Sequence, residues 1–177
     1  MSQGSGGAEP SAVSWGEPAD VDLVVRVAVA PPDGPVEHRQ FRYVGRWWRQ
    51  ADKALCRYED KEAASVVTLK VAAGALTLLR QGDITCRQEF RAGEAGRALY
   101  RTPYGVWPLT WRCRQLDVRF FAGAKEAIRD LSLPDLAVIR FSYEQALDGR
   151  YLGFYDVLVE VGAGRKRGEA DADRDFS

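Results

Sequence analysis

The sequence predicts an all-β protein: a single up-and-down antiparallel β-barrel of about 8–10 strands with one short helix. Three observations carry that expectation. Between Val21 and Val161 apolar residues recur with a period of two, the signature of strands with one buried face. Turn-forming clusters of Gly, Pro and Asp interrupt them at roughly 8–12-residue spacing. The connections are short, which suits a meander, and closing the meander removes the strand edges that so many apolar segments would otherwise expose.

The elements follow in order. Leu23, Val25, Val27 and Val29 alternate with Val24, Arg26 and Ala28, and Pro31-Pro32-Asp33-Gly34-Pro35 forces a turn. Val36 to Gln50 is a long aromatic strand containing Phe41, Tyr43, Trp47 and Trp48. Gly45 in its middle suits a bulge or sharp bend. Ala51-Asp52-Lys53 connects to a strand over Ala54–Glu59. Ser65–Val71 and Leu76–Arg80 are joined through Ala73-Gly74. Gln81-Gly82-Asp83 turns into Ile84–Phe90. After a loop at Arg91–Gly96 come Arg97–Thr102 and Val106–Cys113, with a bulge expected at Pro103-Tyr104-Gly105, and Leu116–Phe121 continues the sheet. Ala122–Leu131 is the one amphipathic helical stretch. Ala137–Tyr143 and Tyr151–Val161 are the last strands, joined through Asp148-Gly149.

A chain of 177 residues, 46% hydrophobic and 28% charged, is enough for one domain with a real core. The barrel is expected over 21–162. Residues 1–20, rich in Gly, Ser, Ala and Pro, and the charged stretch 163–177 are expected to be disordered tails. The N-terminus has neither the basic nor the apolar region of a secretory signal, and no apolar run approaches the roughly 20 residues of a membrane helix. Cys56, Cys86 and Cys113 are odd in number and far apart, which fits neither a disulfide framework nor a zinc site but does fit a reducing cytoplasm. Their expected role is that of small buried hydrophobes. The formal net charge is zero, which argues against the strong basic field of a nucleic-acid binder.

Parity then sorts side chains into the barrel. Ile84, Cys86, Gln88 and Phe90 face inward, as do Trp107, Leu109, Trp111 and Cys113, and Ile139, Phe141 and Tyr143. Leu76, Leu78 and Arg80 make the same pattern, and Tyr100 and Thr102 join Trp107 and Leu109. The polar residues that land inside are Arg80, Gln88, Tyr100, Thr102 and Tyr143, with Glu59 placed beside Arg80 as its partner. Buried polar groups must be paired or wet. These six therefore either satisfy one another in a packed interior or line a pocket and orient a ligand.

One resemblance covers residues 22–161. Arg80-Gln81-Gly82, Gln88-x-Phe90, Gly93, Tyr100-x-Thr102-Pro103-x-Gly105 and Tyr143, preceded by Gly45, Trp47-Trp48 and Tyr58-Glu59, resemble the YwiB-like family of uncharacterised bacterial proteins. The resemblance implies a calycin-like β-barrel, related in shape to lipocalins and fatty-acid-binding proteins. It implies neither an activity nor catalytic residues. The chain departs from the family in its tails, in a longer Ala122–Asp135 insert and in lacking a glycine just before the Ile139 strand.

No catalytic constellation emerges. His38 is the only histidine, which excludes a histidine pair as metal ligands. No phosphate loop of the Gly-x-x-x-x-Gly-Lys or Gly-x-Gly-x-x-Gly type occurs. Paired carboxylates for glycoside chemistry are not identifiable. Nothing calls for a cofactor. Besides an enzyme, which would need Glu59 and Arg80 exposed in a cavity with strongly shifted pKa values, two functions remain. One is a non-enzymatic barrel holding a small amphipathic or anionic ligand against Glu59, Arg80, Gln88, Tyr100, Thr102 and Tyr143. The other is a packed barrel that binds a protein or RNA through its outer aromatic and arginine-rich segment Phe41–Arg49, where Arg42 and Arg46 stand beside Trp48.

Overall fold

The structure, a computed structural model, describes residues 15–121 and 136–164. The expected helix over Ala122–Leu131 lies outside them, and among the described residues there is no helix. Ten strands follow one another: β1 (Ala19–Ala30), β2 (Glu37–Gln50), β3 (Lys53–Asp60), β4 (Ser65–Ala72), β5 (Ala75–Gly82), β6 (Cys86–Phe90), β7 (Ala95–Thr102), β8 (Gly105–Phe120), β9 (Ala137–Leu147) and β10 (Arg150–Ala163). Strand formation thus reaches into both expected tails, to Ala19 at one end and Ala163 at the other.

The strands form one antiparallel sheet in the order β6-β5-β4-β3-β2-β1-β10-β9-β8-β7. Every neighbour in that order is a sequence neighbour except β1 and β10, which pair from Val21↔Ala163 to Ala30↔Phe154. The two outer strands, β6 and β7, meet through a single bridge in which Thr85 and Arg101 exchange backbone hydrogen bonds of 2.9 and 3.0 Å. The sheet is therefore a nearly closed up-and-down barrel with one weak seam, as the alternating pattern predicts.

Inward residues fill it. Val21, Leu23, Trp47, Cys56, Val67, Leu69, Leu76, Phe90, Ile139 and Val161 are all buried. Each aliphatic or aromatic side chain fully buried here contributes about 1.5–3 kcal/mol. Phe90 sits among aromatic rings, with centroids 5.8 Å from Trp111, 5.0 Å from Phe141 and 4.9 Å from Tyr143. Aromatic rings from β6, β8 and β9 thus pack together inside the barrel.

The seam is reinforced from inside. Gly96 on β7 faces Trp111 on β8, and the indole lies across the bare glycine. It passes beyond β7 and donates its Nε1–H to the backbone carbonyl of Glu89 on β6 at 3.0 Å. Nearby, Gln88 on β6 reaches Gln145 on β9 at 3.4 Å.

Three sequence expectations need correction. Pro103-Tyr104 forms a tight turn between paired Thr102 and Gly105, not a bulge. The irregularity lies instead between Cys113 and Gln115 within β8, so Val106–Cys113 and Leu116–Phe121 are one strand. The extra residue keeps Leu116, Val118 and Phe120 on the inner side after Cys113. Gly45 carries no register shift either: its partners run unbroken from Asp20↔Arg46 to Asp22↔Val44. It is needed because a Cβ there would meet Leu23 Cδ1 at 3.0 Å and the Arg57 carbonyl at 2.7 Å. Asp148-Gly149 forms the expected hairpin turn, with φ of 50° and 75° at the two residues.

A candidate binding cleft where the barrel wall splits

β2 and β3 stay together for only part of their lengths. Their ladder runs from Gln50↔Lys53 to Gly45↔Tyr58 and stops. Residues 37–44 of β2 then pair with β1 alone, while Glu59 and Asp60 of β3 pair with β4 alone. Between the two diverging strands opens a cleft of about 1020 Å³. Tyr43, Tyr58 and Asp60 line its inner side, and Arg42, Val44, Arg46 and Arg57 its outer lip. Val44 is 69% exposed, although it belongs to a strand centre rather than a turn.

The inner side carries the polar chemistry of the barrel. Arg80 on β5 donates to Asp60 Oδ2 at 2.7 Å, with side chains 24% and 12% exposed respectively. Tyr43 and Tyr58 pack at 4.5 Å between ring centroids. Burial raises both phenols above their ordinary range. The Asp60 carboxylate adds to this, and the nearby Arg80 guanidinium opposes it. Tyr143 stacks on Tyr155 at 5.1 Å, and its phenol is also raised, first by burial and then by Tyr155. At the start of β6, the Cys86 thiol is raised by burial against the same guanidinium. Arg80 is thus the positive centre that three tyrosines and a thiol share.

The six residues expected to form the site do not all converge. Glu59 is exposed on the outer face, and its place beside Arg80 is taken by Asp60. A one-residue slip of parity turns every side chain of a strand to the opposite face. The buried series Ala54, Cys56 and Tyr58 carries the inner face onward to Asp60, so the signal was present in the sequence. Arg80 faces inward as expected. Gln88 is buried, and its partner Gln145 continues the inward series Ile139, Phe141, Tyr143. Tyr143 sits in the aromatic core. Tyr100 is half-buried on β7 opposite Trp107. Thr102 stabilises the β7–β8 turn, where its Oγ1 accepts from the Tyr104 N–H at 3.1 Å and donates to the Gly105 carbonyl at 3.4 Å. Sequence reasoning missed Asp60, Tyr43 and Tyr58 as a group, because only the long-range divergence of β2 from β3 opens the wall beside them.

All three cysteines are free and buried. Burial pushes the Cys56 thiol up to about 12, so almost none of it is thiolate near neutrality. Among the described residues no three His, Cys, Asp or Glu side chains gather as a metal site. No helix among them is long and apolar enough to cross a membrane.

Comparison with known proteins places this geometry in a family. The model of the domain of unknown function DUF1934 matches residues 28–129, more than half of the sequence, and the chain belongs to that family. The crystal structure of ywiB protein from Bacillus subtilis is similar in fold at 20% sequence identity. The match covers 84% of this chain and 94% of that one, with a TM-score of 0.65. No curated protein matches the sequence.

Proposed function

We propose that this member of the DUF1934 family is a non-enzymatic binding barrel that takes a small amphipathic or anionic ligand at the split in its wall. The observation that supports this reading is the cleft between β2 and the β3–β4 turn, where the ladder ends at Gly45↔Tyr58. It places apolar area from Phe41 and Val44 next to Tyr43, Tyr58 and the Asp60–Arg80 pair. That combination, mainly apolar contact with a few polar groups to fix orientation, is what small-molecule sites use. Phe90, Trp111, Phe141 and Tyr143 pack together inside the barrel, so the ligand enters through the wall rather than along the axis.

Native mass spectrometry of gently purified protein, followed by thermal-shift screening against fatty acids and polar metabolites, tests this. A bound species, or a shift that Tyr43→Ala and Val44→Lys both reduce, supports the cleft. No bound species and no shift across the panel counts against it.

A second reading is favoured by the exposure of Val44 between Arg42 and Arg46: the outer face of β2 serves as an interaction surface for a protein or RNA. A partner captured by the native protein and lost on combining Trp48→Ala with Arg46→Ala would select this reading instead.

A further inference from the structure

Arg46 and Arg57 are direct cross-strand partners on the outer lip of the cleft. Like charges directly opposite one another on a sheet face destabilise it. Some outward arginines elsewhere on the barrel face carboxylates, Arg26 with Glu160, Arg114 with Glu144 and Arg140 with Asp156, and others, such as Arg87 and Arg97, stand alone among the described residues; Arg46 and Arg57 are opposed to one another. Neither Arg46 nor Arg57 makes such an ion pair among the described residues, although Asp20 stands across the β1 ladder from Arg46. Arg42 follows on the same face of β2, four residues away, and also lines the cleft without an ion-pair partner among the described residues.

We infer that the Arg46–Arg57 pair, with Arg42 beside it, is the seat of a phosphate-bearing ligand, with the rest of that ligand lying in the cleft. The inference rests on the proposed reading of the cleft and names the chemistry of its occupant. Two guanidiniums side by side carry two positive charges, and one carboxylate, although its two oxygens have lone pairs for both forks, brings a single negative charge and leaves one cation unbalanced. A phosphate monoester or a pyrophosphate has enough terminal oxygens for two forks and carries about two or more negative charges, which offset both cations. Glu59 and Glu62 line the turn side of the same cleft, so the anion is held to the strand side, against the arginines. Glu59 lies on the outer face two residues from Arg57, and its charge weakens the site it borders.

Inorganic pyrophosphate and inorganic phosphate are the probes, titrated into the full chain and followed by the side-chain Nε–H resonances of arginine. Saturable shifts at Arg46 and Arg57 are expected. Arg46→Gln and Arg57→Gln should each weaken pyrophosphate binding by about tenfold or more. Arg114→Gln, which removes an arginine paired elsewhere, should leave it unchanged, and Glu59→Gln should tighten it. Without any anion, Arg46→Gln and Arg57→Gln should melt above the native protein, because the repulsion is gone. Absence of saturation, or an affinity in either arginine variant equal to that of the native protein, overturns the inference. An uncharged fluorescent probe such as N-phenyl-1-naphthylamine, whose binding Val44→Lys should weaken, separates the two levels. Its binding without pyrophosphate binding rejects the phosphate site and leaves the cleft standing. Loss of both rejects the cleft as well.

Discussion

Replacing Gly96 by alanine drives a methyl group into the indole that closes the barrel. An ideal Cβ at that position would stand 2.2 Å from Trp111 Cζ2, 2.4 Å from Cε2 and 2.8 Å from Nε1. Trp111 is buried against Phe90, so it has little room to yield. Two losses follow. Overpacking of this kind costs about 1–3 kcal/mol. Displacing the ring also breaks its hydrogen bond to the Glu89 carbonyl, worth about 0.5–1.5 kcal/mol. Against these, alanine in a strand interior is intrinsically better than glycine by about 0.5–1 kcal/mol. The expected net loss is on the order of 2–3 kcal/mol, read as a shift of the urea midpoint at constant slope. The decisive measurement is a double-mutant cycle with Trp111→Phe, whose smaller ring leaves space over position 96. In that background Gly96→Ala should cost nothing or stabilise slightly, so the two changes are strongly non-additive. Hydrogen exchange should quicken at Thr85 and Arg101, the backbone bridge that the indole supports. A Gly96→Ala variant within 0.5 kcal/mol of the native protein would refute the reasoning, as would an equal loss with and without the indole.

Other outcomes follow from the same geometry. Asp60→Asn should destabilise by about 1–3 kcal/mol, because it leaves Arg80 largely buried without its carboxylate, while Glu59→Gln on the outer face stays within about 0.5 kcal/mol; chemical denaturation of the two variants compares them directly. The raised Cys56, Tyr58 and Tyr143 groups are protonated in the folded barrel and ionise more easily once it opens. Their contribution is therefore complete below the ordinary values, 9.0 for the thiol and 10.0 for the phenols, and is lost as pH rises above them, so unfolding midpoints should fall steadily in alkali. At pH 8 the native thiol of Cys56 should resist an alkylating agent that labels the urea-unfolded chain rapidly, as peptide mapping would report.

The fold was largely legible because a closed meander asks little beyond period-two alternation and short turns. Leu23, Val25, Cys86, Phe90, Leu109 and Ile139 all face the side that their parity predicts. Errors arose where parity is carried across an ambiguous step. On β3 the small apolar residues Ala54 and Cys56 give a weaker signal than the charged partner that Arg80 calls for, and the sequence alone points to Glu59 where the structure has Asp60. On β8 the adjacent polar residues Arg114 and Gln115 mark the point where the apolar series changes from odd to even numbers, and the bulge lies there. The cleft was not legible at all. It depends on where β2 parts from β3, a choice of long-range register that no local pattern encodes. The pairing of Arg46 with Arg57 is visible only once that register is known.

The ladder between β1 and β10 has a kinetic meaning. It couples Val21 to Ala163, so its first and last residues meet only after nearly the whole domain has been threaded between them. The other ladders of the sheet join sequence neighbours and can form as hairpins. Folding speed falls as contacting residues lie farther apart along the chain. Joining Ala19 to Ala163 by a short linker and reopening the chain in the loop between β6 and β7 would turn the most distant pairing into a hairpin. The new ends would fall at the seam, where a single backbone bridge, the Gln88–Gln145 contact and one indole hold the barrel shut. In such a permuted chain the slow step of assembly becomes local, and the weakest join in the wall becomes the place where the molecule begins and ends.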